Sequence, residues 1–352
     1  MDFIDLRSDT VTRPTPEMME AIANAQVGDD VFEEDPTVNR LQEIAAIKLG
    51  KDASLFIPSG TMGNLVAMLT HCNRGEEIIV GDKAHIFRWE GGNVAALGGI
   101  HPYVLHNQSD GTLALDDIEA AVRAEDVHLP RSKTICLENT HNNCGGVAIA
   151  PEYFAAVRQI ADRHNMTVHL DGARLFNAGV ALNISVTEFT RHVDSVMVCL
   201  SKGLCAPVGS VLAGPREFIY KARKIRKMLG GGMRQAGILA AAGIVSLEKM
   251  VDRLAEDHAN AARLRQSLLE IEGIEPDMDI PPNAALTNMV YFRLSDEAPI
   301  TPQMLVERCE REYQIKINPG SYRQFRLVTH YWVTAEGVER TLEAFRSILR
   351  TS

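Results

Sequence analysis

The 352-residue chain lacks any uninterrupted apolar run of the roughly eighteen residues needed to cross a bilayer, so no membrane role is expected. It also lacks a basic surplus. With 46 acidic against 36 basic residues, the net charge of −10 leaves no field of the kind that displaces counterions from nucleic acid. One basic stretch, "KARKIRKMLGGGMRQ", reads as a solvated face, with a nucleic-acid patch as the weaker alternative. Cysteine is sparse. The six cysteines, Cys72, Cys136, Cys144, Cys199, Cys205 and Cys309, fall at no framework spacing, which argues against a disulfide scaffold and for reduced thiols in a cytoplasmic protein. The opening "MDFIDLRSDTVTRPTP" shows no basic and apolar leader, so no targeting is expected. Internal repeats, low-complexity tracts, a Walker loop and the G-x-G-x-x-G fingerprint are all missing.

What is present is a 45% hydrophobic chain long enough for two domains. Short runs rich in Val, Ile and Leu predict strands at Ala53 to Ile57, Glu77 to Val80, Thr134 to Leu137, Thr167 to Leu170, Asp194 to Leu200 and Ser210 to Leu212. Helical patterns such as "TVNRLQEIAAIKLG", "GNLVAMLTHC" and "PEYFAAVRQIADRHN" alternate with them, which predicts crossover helices on a mostly parallel sheet. From Ser246 the pattern changes. One long helical stripe to Gly273 is expected, followed by a Pro-rich loop, two strands and two helices. The fold class is therefore α/β, with a large domain at 1–248, its N-terminal segment included, and a smaller C-terminal α/β domain at 249–352.

Loops at the carboxyl ends of parallel strands hold ligands, and four candidates fall in such loops. Lys202 in "LSKGLCAP" has no carboxylate beside it in the sequence. A lysine short of solvent gives up its proton more readily, and its amine can then form a Schiff base; the alternative is a lysine simply reaching water. Asp171 in "HLDGARL" could hold a proton on a heterocyclic nitrogen, or cap the next helix. Ser59-Gly60-Thr61 in "FIPSGTMGN" could cradle a phosphate on free backbone N–H groups, or form a plain helix start. His85 in "GDKAHIFRWEGG" could stack on a planar ring, move a proton, or be structural. Together they supply an amine for an aldehyde, a carboxylate for a ring nitrogen, an anion cradle and a flat plate. That set matches pyridoxal 5′-phosphate carried on Lys202.

The motifs "IDLRSDTVTRPTPEMMEAI", "VGDDVFEEDPTVNRLQ", "FIPSGTMGN", "LENTHN", "HLDGARLFNA", "LSKGLCAPVGS", "RKMLGGGMRQAG" and "FRLVTH" stand in an order that resembles the low-specificity L-threonine aldolases, which are fold-type I pyridoxal-phosphate enzymes of the aspartate aminotransferase-like architecture. The resemblance spans Ile4 to beyond His330. It implies Lys202 as the Schiff-base lysine, Asp171 on the pyridine nitrogen, Gly60 and Thr61 on the phosphate, His85 on the ring face and Arg174 beside the cofactor. It also implies Ser8, Arg174 and Arg326 as substrate ligands, and an active site at a dimer interface within a homotetramer. There Lys227 and Arg234 would reach a neighbouring subunit's phosphate. The implied reaction is cleavage of L-threonine and L-allo-threonine to glycine and acetaldehyde. His85 or His141 would take the hydroxyl proton. Other reactions on the same cofactor, transamination, β-elimination or cleavage of phenylserine-like substrates, remain open here. Cys136, His141 and Cys144 stand at irregular spacing without a fourth ligand nearby, and no catalytic metal is expected. The resemblance implies glycine or alanine where Cys205 stands and a less bulky residue where Trp332 stands, two departures that bear on the β-substituent preference.

Overall fold

The computed structural model describes residues 3–320 and 322–350. Three sheets organise it. Strands β1 (Ile4–Asp5) and β11 (Ile315–Lys316) pair with each other, while β9 (Ile274–Pro276), β10 (Met289–Leu294) and β12 (Gln324–Val328) form an antiparallel sheet in the order β12-β10-β9. The large sheet holds seven strands: β2 (Ala53–Ile57), β3 (Glu77–Gly81), β4 (His101–Leu105), β5 (Ser132–Glu138), β6 (Thr167–Asp171), β7 (Ser195–Cys199) and β8 (Ser210–Gly214). They lie in the order β2-β8-β7-β6-β5-β3-β4. From β7 to β4 every pairing is parallel, and only β8 runs against its neighbours. Parallel strands need both faces covered, and their near-continuous burial follows from that.

Helix starts follow local chemistry. Asp35 caps Pro36–Lys48, Ser59 caps Gly60–His71 and Thr301 caps Pro302–Tyr313, each accepting a bond from a backbone N–H of the first turn. Helix Gly60–His71 sits unusually close to β7. A Cβ at Gly60 would lie 2.9 Å from Cys199 Sγ, and one at Gly63 would lie 2.7 Å from Met197 Cγ, so both positions need glycine. That close approach presses Asn64 against the sheet.

Two apolar cores line the faces of the large sheet, one built on Phe56, Val168, Leu170 and Val198, the other on Leu55, Ile57, Met197 and Leu212. A third, with Phe292, Phe325 and Phe345, surrounds the antiparallel sheet and takes in Ile4 and Leu6. All six cysteines are buried and free. Among the described residues no helix is long and apolar enough to cross a membrane.

Two expectations need correction. The long helix from Ser246 to Gly273 is two helices, Gly237–Lys249 and Leu254–Leu268, because the single stripe serves two cores: Leu247, Met250 and Leu254 pack in one, Ala261, Leu264 and Leu268 in the other. The chain must turn between them. The large sheet has a seventh strand beyond the six expected: β4 carries only a short apolar run, Tyr103 to Leu105, at the sheet edge with His101 and Val104 exposed.

Candidate active site

A cavity of about 450 Å³ opens where the carboxyl ends of the parallel strands meet the antiparallel sheet and the N-terminal segment. Its wall combines Ser8, His85, Arg174, Lys202 and Arg326, five residues singled out from sequence, with Arg7, Thr10, Trp89, Asn142, Asn143 and residues 318–320. Charge inside it is divided into two poles.

The acidic pole lies beneath the floor. Asp171 ends β6 and is only 1% exposed. Its register partner on β5 is Glu138, another buried carboxylate, so two acids stand side by side at adjacent strand ends. Asp171 Oδ2 accepts a 2.8 Å bond from Asn64 Nδ2, and Oδ1 accepts one from the Ala173 backbone. Burial, reinforced by the neighbouring Glu138, pushes the Asp171 carboxyl up to about 6.

His85 stands above this pole, at the start of the short helix His85–Arg88. Its backbone N–H donates to Glu138 Oε2 at 2.7 Å, and its Nδ1 lies 2.9 Å from Glu90 Oε1. A carboxylate accepts only, so Nδ1 carries the hydrogen and Nε2 is left as the basic nitrogen of the neutral ring. Burial alone would lower the imidazole, but the Glu90 bond and the Asp171 charge more than offset it and hold His85 above its ordinary value.

The basic pole surrounds Asp9. Arg174, beyond the end of β6, donates from Nε and Nη2 to the two Asp9 oxygens at 2.7 and 2.6 Å. Burial would raise Asp9, yet Arg174, with Lys202 and Arg326 adding to it, holds the carboxyl far below the usual range. Arg326, on β12, donates to Asn142 Oδ1 at 2.7 Å and to the Arg7 carbonyl at 3.3 Å, keeping its fork at the cavity wall. Lys202 lies in the loop between β7 and β8, where its carbonyl accepts bonds from Thr12 Oγ1 and the Cys205 N–H. The loop is thereby tied to the N-terminal segment.

Other predicted residues lie elsewhere. Gly60 and Thr61 open helix Gly60–His71, with Ser59 and Thr61 exposed; the first N–H groups of a helix have no partner within it, which suits an anion. Lys227 and Arg234 are outside the cavity: Lys227 lines a separate pocket with Val31, Tyr220 and Arg223, and Arg234 pairs with Asp29 at 2.9 Å. Their basic stretch is partly turned inward, since Arg226 is buried on Asp30 and the Phe56 carbonyl. His141 is buried against Gly111 and does not line the cavity. Cys205 adopts a left-handed φ of 63°, a conformation suited to glycine, and Trp332 donates its indole N–H to the Arg13 carbonyl.

The arrangement fits pyridoxal phosphate: a half-buried imidazole and a lysine share one cavity, a carboxylate raised by burial and a neighbouring acid has room to gain from a ring cation, and an open helix start can take a phosphate. Sequence reading passed over Asp9, Asn64, Glu90, Glu138 and Asn142. Asn64 did carry a signal, a polar residue on the glycine-rich face that the helix buries. Glu90 had none; Glu138 ended the Thr134 to Leu137 run much as Asp171 ends its own, yet only chain folding shows that the two acids meet.

Comparison with known proteins follows the same lines. Residues 5–295 match the family described as "Beta-eliminating lyase". The chain is 46% identical over 354 residues to low-specificity L-threonine aldolase 1 of Arabidopsis thaliana, covering 100% of this chain and 98% of that protein. It is 45% identical over 348 residues to the low specificity L-threonine aldolase of Escherichia coli strain K12, covering 99% of each. Among solved structures, a putative L-allo-threonine aldolase from Listeria monocytogenes superposes with a TM-score of 0.80 at 20% identity, over 98% of this chain and 96% of that one, a likeness of fold.

Proposed function

This chain belongs to the low-specificity L-threonine aldolases, and on that footing we propose that its cavity cleaves L-threonine and L-allo-threonine, reversibly, to glycine and acetaldehyde. It is a carbon–carbon lyase with the fold of fold-type I pyridoxal-phosphate enzymes. The observation that carries the reading is the single cavity in which Lys202, His85, Ser8 and Arg326 converge above buried Asp171.

Pyridoxal 5′-phosphate is the cofactor we assign, with Asp171 to its ring nitrogen, Gly60 and Thr61 to its phosphate, His85 to its face, Arg174 beside it and Lys202 to its carbonyl carbon. When bound, it supplies an electron sink for the bond that breaks. The protein's own groups do the rest. Arg326, with Ser8, grips the substrate carboxylate through charge-assisted bonds and so fixes the direction of the Cα–Cβ bond. His85 Nε2 takes the β-hydroxyl proton, the Cα–Cβ bond breaks, acetaldehyde leaves, and a proton returned to Cα completes glycine. Asp9 holds Arg174 in place without spending Arg326. We assign the proton acceptor to His85 over His141 because His85 alone of the two faces the cavity.

The finer assignments are a cytoplasmic enzyme of threonine breakdown and glycine formation, working as a homotetramer. The exposed Phe32, Tyr220 and Met228 around the pocket of Lys227 support burial of that face against a second copy, where Lys227 and Arg234 would serve the neighbour's phosphate.

The test is a mixing experiment. Purified protein with pyridoxal phosphate is given L-threonine, L-allo-threonine, D-threonine or L-phenylserine, and glycine, aldehyde, ammonia and oxo acid are assayed. Glycine and aldehyde from the L-substrates are expected; ammonia or oxo acid in their place would replace aldol cleavage with elimination or transamination. Lys202→Ala should abolish turnover, whereas Arg326→Ala should keep the cofactor and raise KM sharply.

A further inference from the structure

Behind Asp171 runs a buried chain of hydrogen bonds that no step above uses. His169 lies two residues before Asp171 on β6, so both side chains emerge on the same sheet face. Between them, from helix Gly60–His71, comes Asn64. Asn64 Nδ2 reaches Asp171 Oδ2 and Glu90 Oε1, both at 2.8 Å, while its Oδ1 lies 3.1 Å from His169 Nε2. His169 Nδ1 lies 2.8 Å from Ser195 Oγ, and that oxygen lies 2.7 Å from His71 Nε2.

The direction of every bond is forced. Two carboxylate oxygens accept both hydrogens of the Asn64 amide, so its oxygen must accept from His169 Nε2–H. A neutral imidazole has one donor and one acceptor, so His169 Nδ1 accepts from the Ser195 hydroxyl, whose oxygen accepts from His71 Nε2–H. Burial supports the neutral forms, pushing His169 down to about 3 and His71 down to about 4. All donors therefore point toward Asp171. Reversed, the chain would set an amide oxygen against the carboxylate and favour its protonated form, which cannot hold a cation.

We propose that His169 is a positioning residue: by fixing the amide of Asn64, it presents Asp171 as an oriented, ionised acceptor for the cationic ring nitrogen. This rests on the cofactor reading given above. Deleting the donor of His169 leaves the buried Asn64 amide oxygen without its partner and loosens its hold on Asp171, and a buried bond of this kind is worth about tenfold in an equilibrium or rate.

The experiment uses holoenzyme and four variants: His169→Leu, His169→Gln, Asp171→Asn and the double variant His169→Leu/Asp171→Asn. Cofactor dissociation is followed by fluorescence, and kcat and KM are measured with L-threonine. His169→Leu is expected to weaken pyridoxal phosphate about tenfold and lower kcat about tenfold, with KM within about twofold. His169→Gln, whose amide nitrogen can donate from nearly the same place, should recover most of both. In the Asp171→Asn background the leucine should add nothing, since its effect passes through that carboxylate. Equal losses in the Leu and Gln variants, or losses that multiply in the double variant, would reduce His169 to a packing residue and overturn the proposal. An impaired Asp171→Asn beside an unimpaired His169→Leu overturns this inference alone, whereas an unimpaired Asp171→Asn overturns the cofactor reading with it. Should His169→Leu not fold, Ser195→Ala decides. A loss of about threefold in cofactor affinity that vanishes in Asp171→Asn supports the chain, and no loss overturns it.

Discussion

Asp9 and Arg174 meet through two parallel hydrogen bonds of 2.7 and 2.6 Å with both side chains shut away from water. The pair joins the segment that follows β1 to the end of β6, and so links the core of the antiparallel sheet to the large one. Asn288, just before β10, adds a 3.4 Å contact to the same carboxylate. One acid thus fixes the cavity wall from three sides.

Asp9→Asn should therefore destabilise the protein by about 3–5 kcal/mol at pH 7, because it leaves Arg174 buried without its countercharge. The pH dependence has a definite sign. Burial opposes the charged form of Asp9, but Arg174 overcomes it and the folded value is depressed. The stabilisation is then complete above the ordinary aspartate range and is lost as pH falls below about 4. Urea unfolding of wild type and variant across pH would show the gap closing on the acid side; a gap independent of pH would assign the loss to packing.

Asp171 behaves in the opposite way. Its folded value is raised, so in the cofactor-free protein its contribution is fully present below the ordinary aspartate range and is lost as pH rises through about 6. Asp171→Asn should melt about 2 °C or more above wild type at pH 8 without cofactor. With saturating pyridoxal phosphate the order should reverse, because wild type gains more from the ligand. Differential scanning fluorimetry with and without cofactor reads both; a variant that is less stable in the cofactor-free form would mean that Asp171 is compensated from within.

On the proposal that His85 accepts the substrate's hydroxyl proton, Glu90 should set the acid limb of activity. His85 must be neutral to accept a proton, and Glu90 helps hold its value up against burial. Glu90→Gln keeps an acceptor for Asn64 and removes the charge. The acid limb of kcat/KM should move to lower pH. An unmoved limb would assign it to a group other than His85.

Much of this was legible beforehand. The alternation of strand and helix was readable because buried parallel strands demand apolar runs and crossover helices demand a stripe, and the six large-sheet strands named from sequence all form. Lys202, Asp171 and His85 were visible as polar residues at the ends of such runs. Less was legible in the C-terminal third. A stripe at helical spacing says that a face is buried but not against what, so the break between Lys249 and Leu254 had no mark of its own.

By itself the sequence determined the sheet, the loops that carry the polar residues, and the residue types needed for an amine, an acid and an anion cradle, since these depend on local periodicity and capping. Tertiary structure decided the electrostatics. Asp171 is raised because the fold buries it and β5 places Glu138 beside it, Asp9 is depressed because Arg174 arrives from 165 positions away, and Asn64 can bridge two acids only because glycines let its helix touch the sheet. Charge interactions act through space, and their strength depends on a burial that no single stretch of sequence creates.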